Sequence, residues 1–332
     1  MRRLPIAQPS LFTDAVDVRA ETAPVKAMPW LTLDRYLTIP TAWRPALMVA
    51  DGMGVDSTAV LVGLHARGIR PDAVIHADTG DEHPGTVAYR EIRRAWLASI
   101  GFPDLTIVRR SASGQTKRVR RDGKVGVSYS TLGENCIANA TLPGLAFGFK
   151  SCSVKWKIEP QNKWTRGWEP ARRTWAHGQR VVKLIGYDAG PKDAKRGHEL
   201  GDDTEYTYLY PLREWGWDRE RCIVEILRAG VALPRKSACF YCPAAQTWEI
   251  AELVRDYPDL ADYVITMEDT ARPYLTTTEG LWRATKKGTR GGIARPGSMA
   301  EFIRQVRVNP ELLAYHVGLK PALPQLEAGC LA

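Results

Sequence analysis

The chain has 332 residues, 44% of them hydrophobic and 25% charged, which is enough apolar material for one large α/β domain or a domain with a smaller appendage. A formal net charge of +9 argues against an acidic ligand-repelling surface and suits a polyanionic partner or substrate. No apolar run approaches the roughly 20 residues that span a bilayer, and Met1–Glu21 carries charge without an apolar h-region, so a soluble cytoplasmic protein without membrane contact is expected.

Residues 1–40 are interrupted by prolines and read as an N-terminal arm. "PALMVAD" (Pro45–Asp51) predicts a short buried strand, and "DSTAVLVGLHARG" (Asp56–Gly68) an amphipathic helix with a glycine stop. "PDAVIHADTG" (Pro71–Gly80) repeats the strand, "HPGTVAYREIRRAWLASIG" (His83–Gly101) the helix, and "DLTIVRRS" (Asp104–Ser111) adds a third strand. Strand and helix alternate as in a parallel, doubly wound sheet, giving an α/β fold. Residues 139–168 read as helical in part, and "VVKLIGYDAG" (Val181–Gly190) as a further buried strand with a polar exit. "RERCIVEILRAGV" (Arg219–Val231) and Gln246–Ala271 are amphipathic helices, so a nucleotide-binding unit over 41–205 and a mainly helical part over 206–332 are expected. Cations cluster in Arg109–Lys124 and in Trp282–Ser298, both punctuated by Gly and Ser as phosphate-tracking loops are.

The junction after the first strand concentrates the chemistry. Gly52, Met53, Gly54, Val55, Asp56, Ser57 and Thr58 lead a turn into a helix start, where main-chain N–H groups and the helix dipole favour an anion. The plainer reading is an ordinary N-cap. The stretch has neither the G-K-[ST] of a Walker A loop nor G-x-G-x-x-G spacing.

This segment resembles the S-G-G-x-D-S pyrophosphate loop of the adenine nucleotide α-hydrolase-like superfamily, with Gly52 and Met53 in place of the first serine and glycine. "HADTGDEHPGT" (His76–Thr86) is similar to a segment of the PAPS-reductase branch of that superfamily. "SCSVKWKIEPQNKW" (Ser151–Trp164) is similar to the C-x-x-x-K-x-x-P segment of sulfonucleotide reductases and DNA-phosphorothioation sulfur-transfer proteins. "KSACFYCP" (Lys236–Pro243) resembles the later C-x-x-C of both groups. The resemblance implies a HUP-like sheet binding ATP with Mg²⁺, and places Asp78 and Thr79 beside the loop. It implies phosphate contacts from Lys155 and Lys157, though a solvated helix face also explains them. Asp188 and Arg196 fall in the place of a further site loop, and Asp56, Lys155 and Asp188 are the catalytic candidates. Trp215 and Trp217 could stack on a base, although core packing accounts for them better.

Six cysteines without a secretory context read as metal or redox chemistry before disulfides. Cys239 and Cys242 form the C-x-x-C, and Cys136 and Cys152 are the other candidate ligands. A [4Fe–4S] cluster, zinc, or plain buried thiols all remain open for this set. Cys222 reads as core and Cys330 as a tail residue, and the histidines have no metal spacing. The resemblance implies an ATP-dependent, adenylylating sulfur-insertion enzyme with a nucleic-acid acceptor and a cysteine-desulfurase-type sulfur donor. The alternatives are a PAPS or adenylylsulfate reductase, or a non-catalytic nucleotide or nucleic-acid binder.

Overall fold

The computed structural model describes residues 31–111, 128–143, 151–191, 203–282 and 295–322. Arg196, Cys330 and most of both basic clusters lie outside them. Of the expected arm, the described end holds helix α1 (Leu33–Thr38), capped by Thr32, with Leu33 and Tyr36 buried against the sheet core.

Five strands build one parallel sheet: β1 (Leu47–Ala50), β2 (Ala73–Asp78), β3 (Leu105–Arg109), β4 (Val181–Ile185) and β5 (Tyr206–Leu209), in the spatial order β3-β2-β1-β4-β5. The α/β expectation holds. Every residue of β2 is buried, as a strand covered on both faces requires. The fifth strand begins at residue 206, so the sheet continues past the boundary expected near 205.

Helices α2 (Val55–Ala66) and α3 (Pro84–Ser99) follow β1 and β2, and α4 (Leu132–Asn139) follows β3. Before β4 the chain is helical over Ser151–Ser153, π-helical over Val154–Ile158 and α-helical again over Glu159–Gly167, together α5, and then forms α6 (Glu169–Ala176). Past β5 come α7 (Pro211–Glu214) and α8 (Arg219–Arg228). The C-terminal part contributes α9 (Thr247–Asp256), α10 (Pro258–Ala271), α11 (Met299–Val308) and α12 (Pro310–Gly318). No helix among the described residues is long and apolar enough to cross a membrane.

Three apolar clusters result. The first joins Leu47, Val49, α2 and Leu97 to Leu212, Trp217, Cys222 and Ile226, so Cys222 is core as expected. The second face of the sheet, with Met48, Ile75 and Tyr206, is closed by Trp164, Trp168 and Trp175 of α5 and α6 and their connection. The third unites Cys136 and Trp156 with α9, α10 and α11. Glu268 of α10 ties that cluster together. Its buried carboxylate accepts from Leu281 N–H at 2.6 Å, Ser298 Oγ at 2.5 Å, and the N–H groups of Met299 and Ala300 at 2.9 Å each.

Helix α2 departs from its amphipathic expectation, since Ser57 to Leu64 are all buried. The cause is α8, which packs along the side of α2 away from the sheet, and Trp215, which lies on Gly63 with Arg67 stacked 4.1 Å from its ring. Trp215 is thereby a packing residue. A Cβ on Gly63 would lie 2.2 Å from that ring, so Gly63→Ala is expected to cost about 1–3 kcal/mol in a urea-unfolding measurement. A wild-type midpoint would contradict this packing.

Candidate nucleotide site

In an open sheet of this order the chain leaves β1 and β4 in opposite directions, and ligands bind in the crevice beyond their carboxyl ends. The glycine turn occupies that position. Gly54 is the N-cap of α2 but has no side chain to cap with, and the first-turn N–H groups of Val55 and Ser57 have no acceptor among the described residues. Four orphan N–H groups and a positive dipole end are what an anion site at a helix start consists of. Gly186, just past β4, is pressed against this start. A Cβ there would lie 2.8 Å from the Ser57 nitrogen and 2.9 Å from the Asp56 carbonyl carbon.

The turn is held from below. Met53 is the surprise, with φ at 58° and a buried side chain, where the resembling loop has glycine. The left-handed region costs a side-chain-bearing residue about 1–2 kcal/mol. The carboxylate of Asp51 offsets it by accepting the Met53 N–H at 2.8 Å, and the same Oδ1 accepts the Ser57 hydroxyl at 2.8 Å. Arg93 of α3 faces the other oxygen, Nε to Oδ2 at 3.1 Å, with both side chains fully buried. Arg93 also donates to Thr58 Oγ1, which in turn donates to the Gly54 carbonyl at 2.7 Å. The hydroxyls of Ser57 and Thr58 are thus spent inside the loop, and main-chain N–H groups are what the turn offers.

Two carboxylates border the cradle. Asp56 Oδ1 accepts from Arg219 Nη1 of α8 at 2.7 Å. Asp188 accepts the Gly190 N–H at 2.8 Å, and the neighbouring Ala189 N–H is anchored on the Trp217 carbonyl at 2.8 Å. Burial, followed by the charges of Asp56 and Asp188, pushes the Cys222 thiol up to about 12.

At the end of β2, burial would raise the Asp78 carboxyl, but the Gly80 N–H, Arg90 and Arg109 together hold it below the usual range. Arg90 Nη1 is 3.0 Å and Arg109 Nε 2.8 Å from Asp78 Oδ2. Thr79 turns its hydroxyl to the Cys239 sulfur, 3.1 Å away. Asp78 and Thr79 thus engage arginines and the cysteine segment. Lys157 reaches Glu82 at 3.3 Å, and that charge, beside the thiols of Cys239 and Cys242, outweighs burial and keeps the lysine pKa raised. Lys155 is exposed on the same π-helical turn.

The cysteine segment lies across the ends of β1 and β2. Ser237 stands 4.0 Å from where a Gly54 Cβ would be. The His83 N–H donates to the Ala238 carbonyl at 3.0 Å and the Phe240 N–H to the Asp81 carbonyl at 3.1 Å. Asp81 is the hub: Oδ2 accepts the Gly133 N–H at 2.6 Å and the Tyr241 hydroxyl at 2.7 Å, which docks both α4 and the C-x-x-C onto the β2 exit. Cys136 is buried, and burial, Asp81 and Cys152 push its thiol up to about 12. Burial and Glu82 push the Cys239 thiol well above its usual value, while Lys157 pulls it down. As the side chains stand, no three His, Cys, Asp or Glu residues among those described converge on one metal position.

Sequence reading therefore located the turn, Asp56, Asp188 and the cysteine segment, which the fold brings to one end of the sheet. It missed Asp51, Arg93, Arg219, Gly186 and Asp81. Gly186 had a legible signal, a glycine directly after an apolar strand. The partners of Asp51 and Asp56 had none, because Arg93 and Arg219 come from helices distant in sequence.

No family model matches the chain, and no curated protein sequence does. Among solved structures it is similar to phosphoadenylyl-sulfate (PAPS) reductase from Candida auris in its phosphate complex. That likeness has 18% identity over 63% of this chain and 85% of the other, with a TM-score of 0.35. The fold assignment rests on strand order and the loop, not on that likeness.

Two expectations arise from this geometry. Gly186→Ala places a methyl against backbone at the helix start, and is expected to weaken nucleotide binding by about tenfold or more, since misplacing a cradle by an ångström has effects of that size; unchanged affinity would remove Gly186 from the site. His83 caps α3 by accepting the Gly85 N–H at Nδ1, 3.0 Å away, and burial with Arg235 lowers its pKa to about 4. The unfolded chain takes up that proton near pH 6.5, so stability is lost as pH falls from about 6.5 to 4. Thermal unfolding of His83→Asn, which keeps a capping acceptor, is expected to show a flatter pH dependence over that window.

Proposed function

We propose that the chain binds an adenine nucleotide beyond the carboxyl ends of β1 and β4 and is an ATP-using, adenylylating sulfur-insertion enzyme. The observation that carries this reading is the convergence of three segments on one helix start: the glycine turn, the β4 exit at Gly186, and Ser237 at the head of the cysteine segment.

The residues fit a nucleotide phosphate. The orphan N–H groups of Val55 and Ser57 and the α2 dipole take its oxygens, and among the described residues no bulky side chain comes within 4 Å of a Cβ placed at Gly52 or Gly54. Asp56 and Asp188 are the carboxylates that would hold Mg²⁺, which supplies charge neutralisation on the phosphates. Arg219 must leave Asp56 for this, and then becomes a phosphate contact itself. Lys155, Lys157 and Arg196 remain proposed phosphate contacts. The acceptor oxygen attacks the α-phosphorus, the bond to the β-bridging oxygen breaks, and pyrophosphate leaves with the electron pair. A sulfide-level nucleophile then attacks the atom that bears the adenylylated oxygen, forming the bond to sulfur as the bond to that oxygen breaks, and AMP departs with the oxygen and the electron pair.

The cysteine segment meets the glycine turn at Ser237, 4.0 Å from a Cβ placed at Gly54, and this contact supports the segment as the proposed place for sulfur to arrive. The cysteines as placed do not form a metal cage, so no step runs through a cluster. A [4Fe–4S] cluster, or zinc in its stead, is proposed for Cys136, Cys152, Cys239 and Cys242 on donor chemistry and shared location alone. The net positive charge and the two basic stretches support a nucleic-acid acceptor, with sulfur supplied by a cysteine-desulfurase-type donor.

Titration with ATP and with PAPS tests the nucleotide. Tight ATP binding with pyrophosphate release on an acceptor supports the reading; preference for PAPS would make the chain a reductase, and binding of neither a non-catalytic protein. Iron, acid-labile sulfide and zinc in protein purified without oxygen test the cysteines. Near-equal iron and sulfide, lost in Cys239→Ala, is the expected result; absence of both would end the cluster proposal.

A further inference from the structure

We propose that Asp51 and Arg93 form a positioning pair that presets the nucleotide cradle, so that the loop is phosphate-ready before any ligand arrives. The inference rests on the nucleotide reading above and deepens it. Neither residue belongs to the loop's recognisable motif.

The argument is one of connectivity. A single buried ion pair controls three of the turn's residues: Met53 through its N–H and Ser57 through its hydroxyl, both on Asp51 Oδ1 at 2.8 Å, and Thr58 through Arg93. The Asp51 carbonyl is itself fixed by His76 Nδ1 of β2 at 3.0 Å. Arg93 is clamped in turn by the rings of Tyr89 and Trp96, 5.4 and 5.8 Å from its guanidinium carbon. The loop is therefore fastened to α3 and β2, both rigid elements, rather than to the ligand. Two consequences separate this from ordinary core packing. Asp51 makes a left-handed methionine tolerable where glycine would need no help. It also turns the Ser57 hydroxyl inward, so that what the turn itself offers an anion is its main-chain donors. A carboxylate this close to an anion site would repel phosphate if it were unpaired, and Arg93 removes that penalty.

The test compares wild type, Asp51→Asn, Asp51→Ala and Arg93→Lys by ATP affinity and by thermal unfolding, with near-ultraviolet circular dichroism to verify folding. Asp51→Asn keeps the acceptor for Met53 and Ser57 but loses the counter-charge, so its melting temperature falls while ATP affinity stays within about threefold of wild type. Asp51→Ala releases the loop, and its affinity falls about tenfold or more at temperatures where it is folded. Arg93→Lys keeps the charge but not the reach to Thr58, and loses a few-fold; it decides the matter if Asp51→Ala does not fold. Folded Asp51→Ala and Arg93→Lys proteins with wild-type affinity would overturn the pair's role, as would equal losses in Asn and Ala variants that merely track stability. Wild-type protein that binds neither ATP nor PAPS would overturn the nucleotide reading itself, a distinct result.

Discussion

Burying charge at the ends of parallel strands is the constraint around which this molecule is organised. A carboxylate placed there must bring a cation or be satisfied by neutral donors, because leaving a buried charge uncompensated costs about 3–5 kcal/mol, a large share of a domain's margin of stability. Asp51, Asp78 and Glu82 lie at or just past the ends of β1 and β2, and their partners come from three elements: Arg93 and Arg90 of α3, Arg109 of β3, and Lys157 of α5. These pairs stitch the helical layers to the sheet at the very edge where the nucleotide is proposed to sit. Net stabilisation from such pairs is modest; what they provide is a single arrangement of the edge.

The same logic explains why the cysteine segment lies where it does. Asp81 has no cation and is satisfied instead by a main-chain N–H and a tyrosine hydroxyl, which is how a buried acid avoids needing charge compensation. Burial accordingly raises its pKa. Through this one residue α4, with Cys136, and the turn bearing Cys239 and Cys242 are both drawn to the β2 exit. The cysteine segment and the glycine turn thereby share one end of the sheet.

Four strands were legible because parallel strands covered on both faces are uninterrupted apolar runs with polar exits. The fifth was hidden: "YTYL" alternates tyrosine with other residues and runs straight into the Tyr-Pro-Leu of α7. The amphipathic reading of α2 failed because its polar-looking positions, Ser57, Thr58 and Gly63, are small rather than solvated, and are small to let the turn and Trp215 approach. At the site, glycines and cysteines announce themselves by type and spacing. Asp51 reads only as the last residue of a strand, and an arginine on an amphipathic helix gives no hint that it points inward to meet it. Long-range charge pairing leaves no periodic trace in a single sequence.

Glu268 has a consequence beyond the core it secures. It holds Leu281 on one side and Ser298, Met299 and Ala300 on the other, so the two feet of the second basic stretch stand on one carboxylate. Leu281 and Ser298 are thereby fixed to one side chain, so the loss of Glu268 would be felt on both sides of that stretch at once.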